Sequence, residues 1–122
     1  MPEYRLAIRV YIEDTDAGGI VYYVNYLKYF ERARTELIRS LGVDKTAVME
    51  DGSVFVVTSA AIDYHAPARL DDQLEAVAEV VNSGAATIEF RQSVVRSGLE
   101  LASGQVRVAL TDGTSGKPKR MP

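Results

Sequence analysis

Apolar residues occupy every second position at the start of the chain. Tyr4, Leu6, Ile8, Val10 and Ile12 alternate with a set that includes Arg5, Arg9 and Glu13. A period of two sends successive side chains to opposite faces, so this stretch predicts a half-buried strand. The period lengthens after Asn25. Tyr26, Phe30, Ala33, Leu37 and Leu41 recur every three or four residues, while Arg32, Glu36 and Arg39 fall outside the stripe, which predicts an amphipathic helix from 25 to about 41. Gly42 suits the position that ends such a helix, and Arg32 with Glu36 is spaced as an i,i+4 pair contributing about 0.2–0.5 kcal/mol. A pair of that size cannot hold a helix, so stability must come from burying the stripe.

Beyond a polar connection around Asp51-Gly52, alternation returns in four segments at roughly 54–64, 72–82, 86–96 and 99–111. Leu74, Ala76, Ala78 and Val80 mark one apolar face, Ala86, Ile88 and Phe90 the next, and Ala102, Val106, Val108 and Leu110 the last. Asn82-Ser83-Gly84 and Ser97-Gly98 carry the glycine chemistry of short hairpins, and Pro67 sits where a strand ends or lies at an edge. The order is strand, long helix, then a meander, without a repeat or a linker. We therefore expect one domain over 1–122, of α+β class, with a five-stranded antiparallel sheet wrapped around one long helix. The two sheet edges would be unpaired, a liability that assembly relieves, so a homodimer or homotetramer is expected.

Composition narrows the function. At 122 residues and 47% hydrophobic, the chain can bury one core. A formal net charge of −3 gives no global basic field, so nucleic acid and anionic membranes are not expected partners. The absence of cysteine excludes disulfides, thiolate catalysis and zinc-thiolate sites, and the single histidine, His65, has no second His or Cys to make a metal centre. Without a signal-like or membrane-spanning apolar run, a cytoplasmic location and no transmembrane segment are expected.

Glu13-Asp14-Thr15-Asp16-Ala17-Gly18-Gly19-Ile20-Val21-Tyr22-Tyr23-Val24-Asn25-Tyr26 places carboxylates and two glycines just ahead of the helix. One reading is a solvated acidic turn, with the glycines supplying positive φ. The other is chemistry. A helix start presents unpaired N–H groups and a partial positive charge, which stabilise a carbonyl oxygen turning negative, while a carboxylate attacks or activates water. From Val10 to Glu36 the chain resembles hotdog-fold acyl-CoA thioesterases, nearest to the 4-hydroxybenzoyl-CoA thioesterase-like branch that includes the Tol-Pal-associated enzymes. Tyr64, Pro67, Ala68, Leu70 and Asp72 fit a further motif of that family.

The resemblance implies the hotdog fold and hydrolysis of acyl-CoA to free acid and CoA, with no cofactor beyond the coenzyme A of the substrate. It implies Asp16 as nucleophile or general base and the backbone N–H of Tyr23 as the donor to the carbonyl oxygen. Gly18, Gly19, Tyr22, Asn25 and Glu31 would lie against substrate. Many Tol-Pal-associated members carry His where this chain has Tyr23, which leaves the choice of branch, and any proton transfer by that side chain, open. A thiolate is a stable leaving group, so one carboxylate and one oxyanion donor suffice without a Ser-His-Asp triad. Asp14 ranks second to Asp16, with a loop-holding role as its other reading. Asn25 is read either as helix cap or as an amide positioning the loop, and Glu31 either as a pocket carboxylate or as a surface partner of Arg34. The basic stretch 113–120 lacks the phosphate-loop pattern, and either touches the phosphates of coenzyme A or is a solvated tail. The alternative from another class is a non-catalytic module that binds acyl-CoA or an acyl-carrier protein. A hotdog dehydratase, which relies on histidine in a different local pattern, fits less well.

Overall fold

Five strands, β1 (Glu3–Arg9), β2 (Ser53–Tyr64), β3 (Gln73–Ser83), β4 (Thr87–Arg96) and β5 (Leu99–Asp112), and one helix, α1 (Asn25–Ser40), make up the computed structural model. It describes residues 2–42 and 52–120, so the connection expected at Asp51 and the end at Met121-Pro122 lie outside the described residues. Every pairing is antiparallel, and the sheet order is β1-β3-β4-β5-β2, which leaves β1 and β2 at the edges. This is the five-stranded antiparallel sheet around one helix that the patterning and the resemblance both predict.

The inner face of the sheet follows from the alternation. Ile8, Leu74, Ala76, Ala78, Phe90, Val94, Ala102, Val106 and Val108 are buried in one core with Tyr26, Phe30, Ala33 and Leu37 of α1. A bulge in β2 and a two-residue turn between β4 and β5 keep the faces in step. In β2 the register shifts between Val57 and Ser59, so Phe55 and Val57 before the bulge face the same side as Ala60, Ile62 and Tyr64 after it, opposite Leu110, Val108, Val106, Gly104 and Ala102. The β4–β5 hairpin turns on Ser97 and Gly98, both at positive φ (50° and 81°), between the paired Arg96 and Leu99. That is the two-residue turn Ser97-Gly98 predicts.

Three local expectations are corrected. Ile12 does not extend β1: the strand ends at Arg9, and Ile12–Asp14 form a 3-10 turn with Ile12 73% exposed. Leu41 lies past the helix end and is exposed, whereas Tyr29, outside the expected stripe, is buried. Glu36 pairs with Arg39 rather than Arg32, whose guanidinium lies over the Tyr29 ring at 5.8 Å. The pattern also missed a polar contact beneath the helix. Arg34 is buried, and its Nη1 donates to Gln92 Oε1 at 2.9 Å, while Gln92 Nε2 donates to the Phe30 carbonyl at 2.8 Å. Loss of solvent pulls the guanidinium below its ordinary pKa, yet an arginine remains charged there.

Helix α1 packs over β3, β1 and β4. At the other side of the sheet β2 approaches β5 so closely that a Cβ on Gly104 would stand 2.1 Å from the Ala61 carbonyl oxygen. Because the obstacle is backbone, Gly104→Ala is expected to destabilise the fold by about 1–3 kcal/mol, read as a lower urea midpoint. A second expectation concerns acid. Asp72 Oδ2 accepts the Arg69 N–H at 2.9 Å and Arg96 Nη1 at 2.8 Å, and these contacts hold its carboxyl below the ordinary 3.8. A depressed folded-state pKa stabilises above the unfolded value and loses that contribution as pH falls through the folded one. Asp72→Asn should therefore be less stable than the parent at neutral pH, with the difference vanishing below pH 3.8 in urea melts taken across the acid range.

Candidate functional site

Between the 3-10 turn and α1 the chain makes a small hairpin. Thr15 bridges Val21, the Asp16 N–H donates to the Ile20 carbonyl at 2.9 Å, and Gly19 turns at φ 78° with its N–H on the Asp16 carbonyl at 3.1 Å. Such a φ is open to glycine at no cost. The Asp16 side chain folds over this turn, its Oδ1 accepting the Gly18 N–H at 2.8 Å. The hairpin is docked from outside by the segment that follows β2: the Val21 N–H donates to the Ala68 carbonyl at 2.8 Å, and Ile20 bridges Arg69. Ala68 is itself fully buried, and its N–H donates to the Tyr26 hydroxyl at 3.1 Å. The Pro-Ala-x-Leu-x-Asp segment is thus the clamp on the hairpin, closed by Asp72.

Asp14 holds the other end. Its carboxylate accepts the Tyr11 N–H at 2.9 Å, and its carbonyl accepts both the Tyr22 N–H at 2.9 Å and Asn25 Nδ2 at 2.8 Å. Of the two readings of Asn25, the structure carries the loop-holding amide and not the cap: Val24 precedes the helix, without a side-chain cap bond, and Asn25 is the first helical residue, buried, with its amide tying the loop to the helix. Tyr29 lies below, buried with no hydrogen-bond partner on its hydroxyl. Burial and the Asp14 charge raise that phenol well above its ordinary value.

The helix start leaves two donors. The N–H groups of Asn25, Tyr26 and Leu27 bond the carbonyls of Tyr22, Tyr23 and Val24. Tyr22 is taken by Asp14, so among the described residues the N–H groups of Tyr23 and Val24 are the two at this helix start without a protein acceptor. Both point from the positive end of the helix dipole.

A hollow of about 330 Å³ opens next to them, lined by Val24, Leu27, Lys28, Glu31 and Arg34 of the helix side and by Val57, Ala60 and Val106 of the sheet. A second, of about 250 Å³, is lined by Ile20, Val21, Tyr26, Tyr64, His65, Ala66 and Pro67. The structure therefore brings Glu31 and the helix start to one hollow. Tyr22 and Tyr23 stand exposed at the helix entrance, and Gly18 and Gly19 in the hairpin. Asp16 is exposed and outside the residues lining either hollow. Arg34 engages Gln92, not Glu31. His65 places Nε2 at 2.8 Å from Ser103 Oγ on the sheet surface. In the basic stretch, Pro118 bridges Thr111 and the Lys119 N–H donates to the Leu110 carbonyl, so that segment folds back along β5. Two residues near the site were missed. By sequence Arg34 is only a surface partner of Glu31 and Tyr64 only part of a family motif, whereas in the fold the Tyr64 hydroxyl donates to the Tyr23 carbonyl at 3.2 Å. Among the described residues no helix is long and apolar enough to cross a membrane, and no cluster of His, Cys, Asp or Glu is placed to hold a metal.

Comparison with known proteins agrees with this architecture. A Haemophilus influenzae protein named acyl-CoA thioesterase YbgC is 44% identical over 120 residues, covering 98% of this chain and 88% of that one. An Escherichia coli protein named acyl-CoA thioester hydrolase YbgC is 39% identical over 120 residues, covering 98% and 90%. Among solved structures, a probable thioesterase from Bartonella henselae superposes with a TM-score of 0.88 at 31% identity over the whole of both chains. Residues 18–103 match the model of the thioesterase superfamily, and the chain belongs to that family.

Proposed function

We propose that this protein hydrolyses acyl-CoA thioesters to the free acid and CoA, with Asp16 as the attacking or water-activating carboxylate and the Tyr23 N–H as donor to the acyl oxygen. The observation that carries the reading is the unengaged Tyr23 amide at the start of α1, beside a hollow lined mainly by Val24, Leu27, Val57, Ala60 and Val106. An acyl chain fits an apolar hollow, and its carbonyl at the helix start meets an N–H fixed before reaction begins. One such donor is worth about 2.7–4 kcal/mol of transition-state stabilisation. The names borne by the Haemophilus and Escherichia relatives support the same substrate class. Either water adds to the carbonyl carbon as Asp16 takes its proton, or the carboxylate adds directly. The oxygen takes up negative charge and the C–S bond breaks to release a thiolate; in the second route water then hydrolyses the acyl anhydride left on Asp16 to free acid. No cofactor beyond the substrate's own coenzyme A is required. We place the enzyme in the cytoplasm, where that substrate is made.

Two copies complete the site in this reading. β2 is an unpaired edge twelve residues long, and Val56, Val57 and Tyr64 on it are 43–48% exposed, as are Leu27 and Tyr22 nearby at 41% and 46%. A long apolar edge is a liability that pairing with a second β2 removes, and the second copy would roof the open hollow. Asp16, exposed in one chain, then faces an enclosed cleft.

Thiol release from a panel of short, long and aromatic acyl-CoAs tests the activity. Asp16→Asn keeps an acceptor for the Gly18 N–H but removes the charge, so hydrolysis should fall by about 10²–10⁴-fold with an unchanged melting temperature. Undiminished turnover by that variant refutes the role of Asp16, and saturable binding with no thiol release by the parent makes the chain a binding module. Sedimentation should show at least two chains per particle. Val57→Lys should yield monomers with reduced turnover, whereas an active monomer would refute the shared site.

A further inference from the structure

Tyr64 ends the edge strand β2, and its ring is held between two others: edge-on to Tyr23 with centroids 6.0 Å apart, and 5.4 Å from Tyr26. Tyr26 is anchored by the Ala68 N–H on its hydroxyl, so the Tyr64 ring rests against a buried and hydrogen-bonded neighbour. From that seat the Tyr64 hydroxyl donates to the Tyr23 carbonyl oxygen at 3.2 Å, and the Tyr26 N–H reaches the same oxygen at 3.3 Å. This carbonyl is one half of a planar peptide group whose other half is the Val24 N–H. A donor on the C=O draws charge through the amide, strengthens the N–H on its far side as a donor, and fixes the plane in which it points. The Val24 N–H is one of the two unengaged donors at the helix start, and Val24 lines the larger hollow.

We propose that Tyr64 is a positioning residue for thioester hydrolysis, its hydroxyl setting the Tyr23–Val24 peptide so that the Val24 N–H joins the Tyr23 N–H in holding the acyl oxygen as it becomes negative. The inference rests on the thioesterase reading above and adds to it a second amide and the side chain that sets it. Burial and the neighbouring phenols of Tyr23 and Tyr26 raise the Tyr64 pKa, so the hydroxyl stays a donor across the neutral range. Tyr64 also belongs to the edge strand on which the second copy is proposed to dock, which ties amide alignment to assembly.

Tyr64→Phe keeps the ring contacts and removes only the donor. Its kcat should fall about two- to tenfold with KM within about twofold, because the bond strengthens when charge develops rather than on binding. Two further readouts separate positioning from simple packing. In the free protein, the Val24 amide nitrogen resonance should move upfield when its carbonyl partner is lost, with distant amides unmoved. In the Asp16→Asn background loaded with an acyl-CoA, the infrared band of the bound thioester carbonyl should shift to higher frequency on adding Tyr64→Phe, as polarisation weakens. An unchanged kcat in Tyr64→Phe overturns the proposal, and so does a fall in kcat that leaves both the Val24 resonance and the carbonyl band where they were. Failure of the thioesterase reading shows separately, as a parent protein that releases no thiol from any acyl-CoA.

Discussion

One helix is too narrow for the sheet it covers. Five strands at a spacing of about 4.8 Å span about 20 Å, whereas a helix with its side chains is about 10–12 Å across. Helix α1 accordingly packs over β1, β3 and β4, and the middle of the inner face of β2, at Val57 and Ala60, is left exposed. The consequences run through the whole molecule. Val57 and Ala60 point inward yet stay exposed, the flank of the helix at Leu27, Lys28 and Glu31 looks across at them, and the space between is the larger hollow. In the proposed reading this space takes the acyl group, for which a complete core would have left no room. The incomplete one has a groove along the helix whose head is the helix start.

That head is held by backbone more than by side-chain charge. The Asp14 carbonyl takes two donors, from Tyr22 and Asn25, and the Ala68 carbonyl takes the Val21 N–H, so the residues on both sides of Tyr22 are fixed from below and from outside. Under these ties the Tyr23 and Val24 amides are left over at a place the fold has made rigid. An amide aimed before the substrate arrives has no reorganisation to undergo as the carbonyl oxygen charges, which is where the catalytic advantage of such a donor lies. The exposed ion pairs Arg5–Glu3, Arg39–Glu36 and Arg107–Glu89 lie at the surface and add little by comparison.

Much of this was legible in the chain because burial imposes a period. The helix and the four later strands were placed within about two residues, and the turn at Ser97-Gly98 announced itself through the one residue type that accepts positive φ cheaply. Where periodicity failed, something other than apolar burial was at work. Ile12 continued the alternation but the chain had to turn there, with Asp14 accepting the Tyr11 N–H, and local hydrogen bonding outweighed the pattern. Arg34 reads as a surface residue by type, yet Gln92, fifty-eight positions away, makes it a buried one, and no local rule anticipates a partner that distant. Asn25 illustrates the remaining limit. A preferred capping residue just before an apolar stripe reads equally as a cap or as an amide that positions the loop, and only the fold, with the Asp14 carbonyl on that amide, decides for the second.

The acidic loop divides along the same lines. Asp14 and Asp16 are two residues apart, and as types they are interchangeable candidates for attack on a carbonyl. Their surroundings separate them. Asp14 spends its carboxylate on the Tyr11 N–H and its carbonyl on two further donors, so moving it would loosen the entry to the helix. Asp16 engages one N–H through one oxygen, on a turn whose glycines bring no side chain between it and an approaching acyl group. Each carboxylate keeps one oxygen free of protein donors, so what separates them is exposure and backbone: Asp14 is half-buried with its carbonyl under Tyr22 and Asn25, while Asp16 stands exposed. The backbone makes the difference: the Asp14 carbonyl ties the loop to the helix start, whereas Asp16 closes only a small exposed turn, which is why the proposed reading gives the chemistry to Asp16.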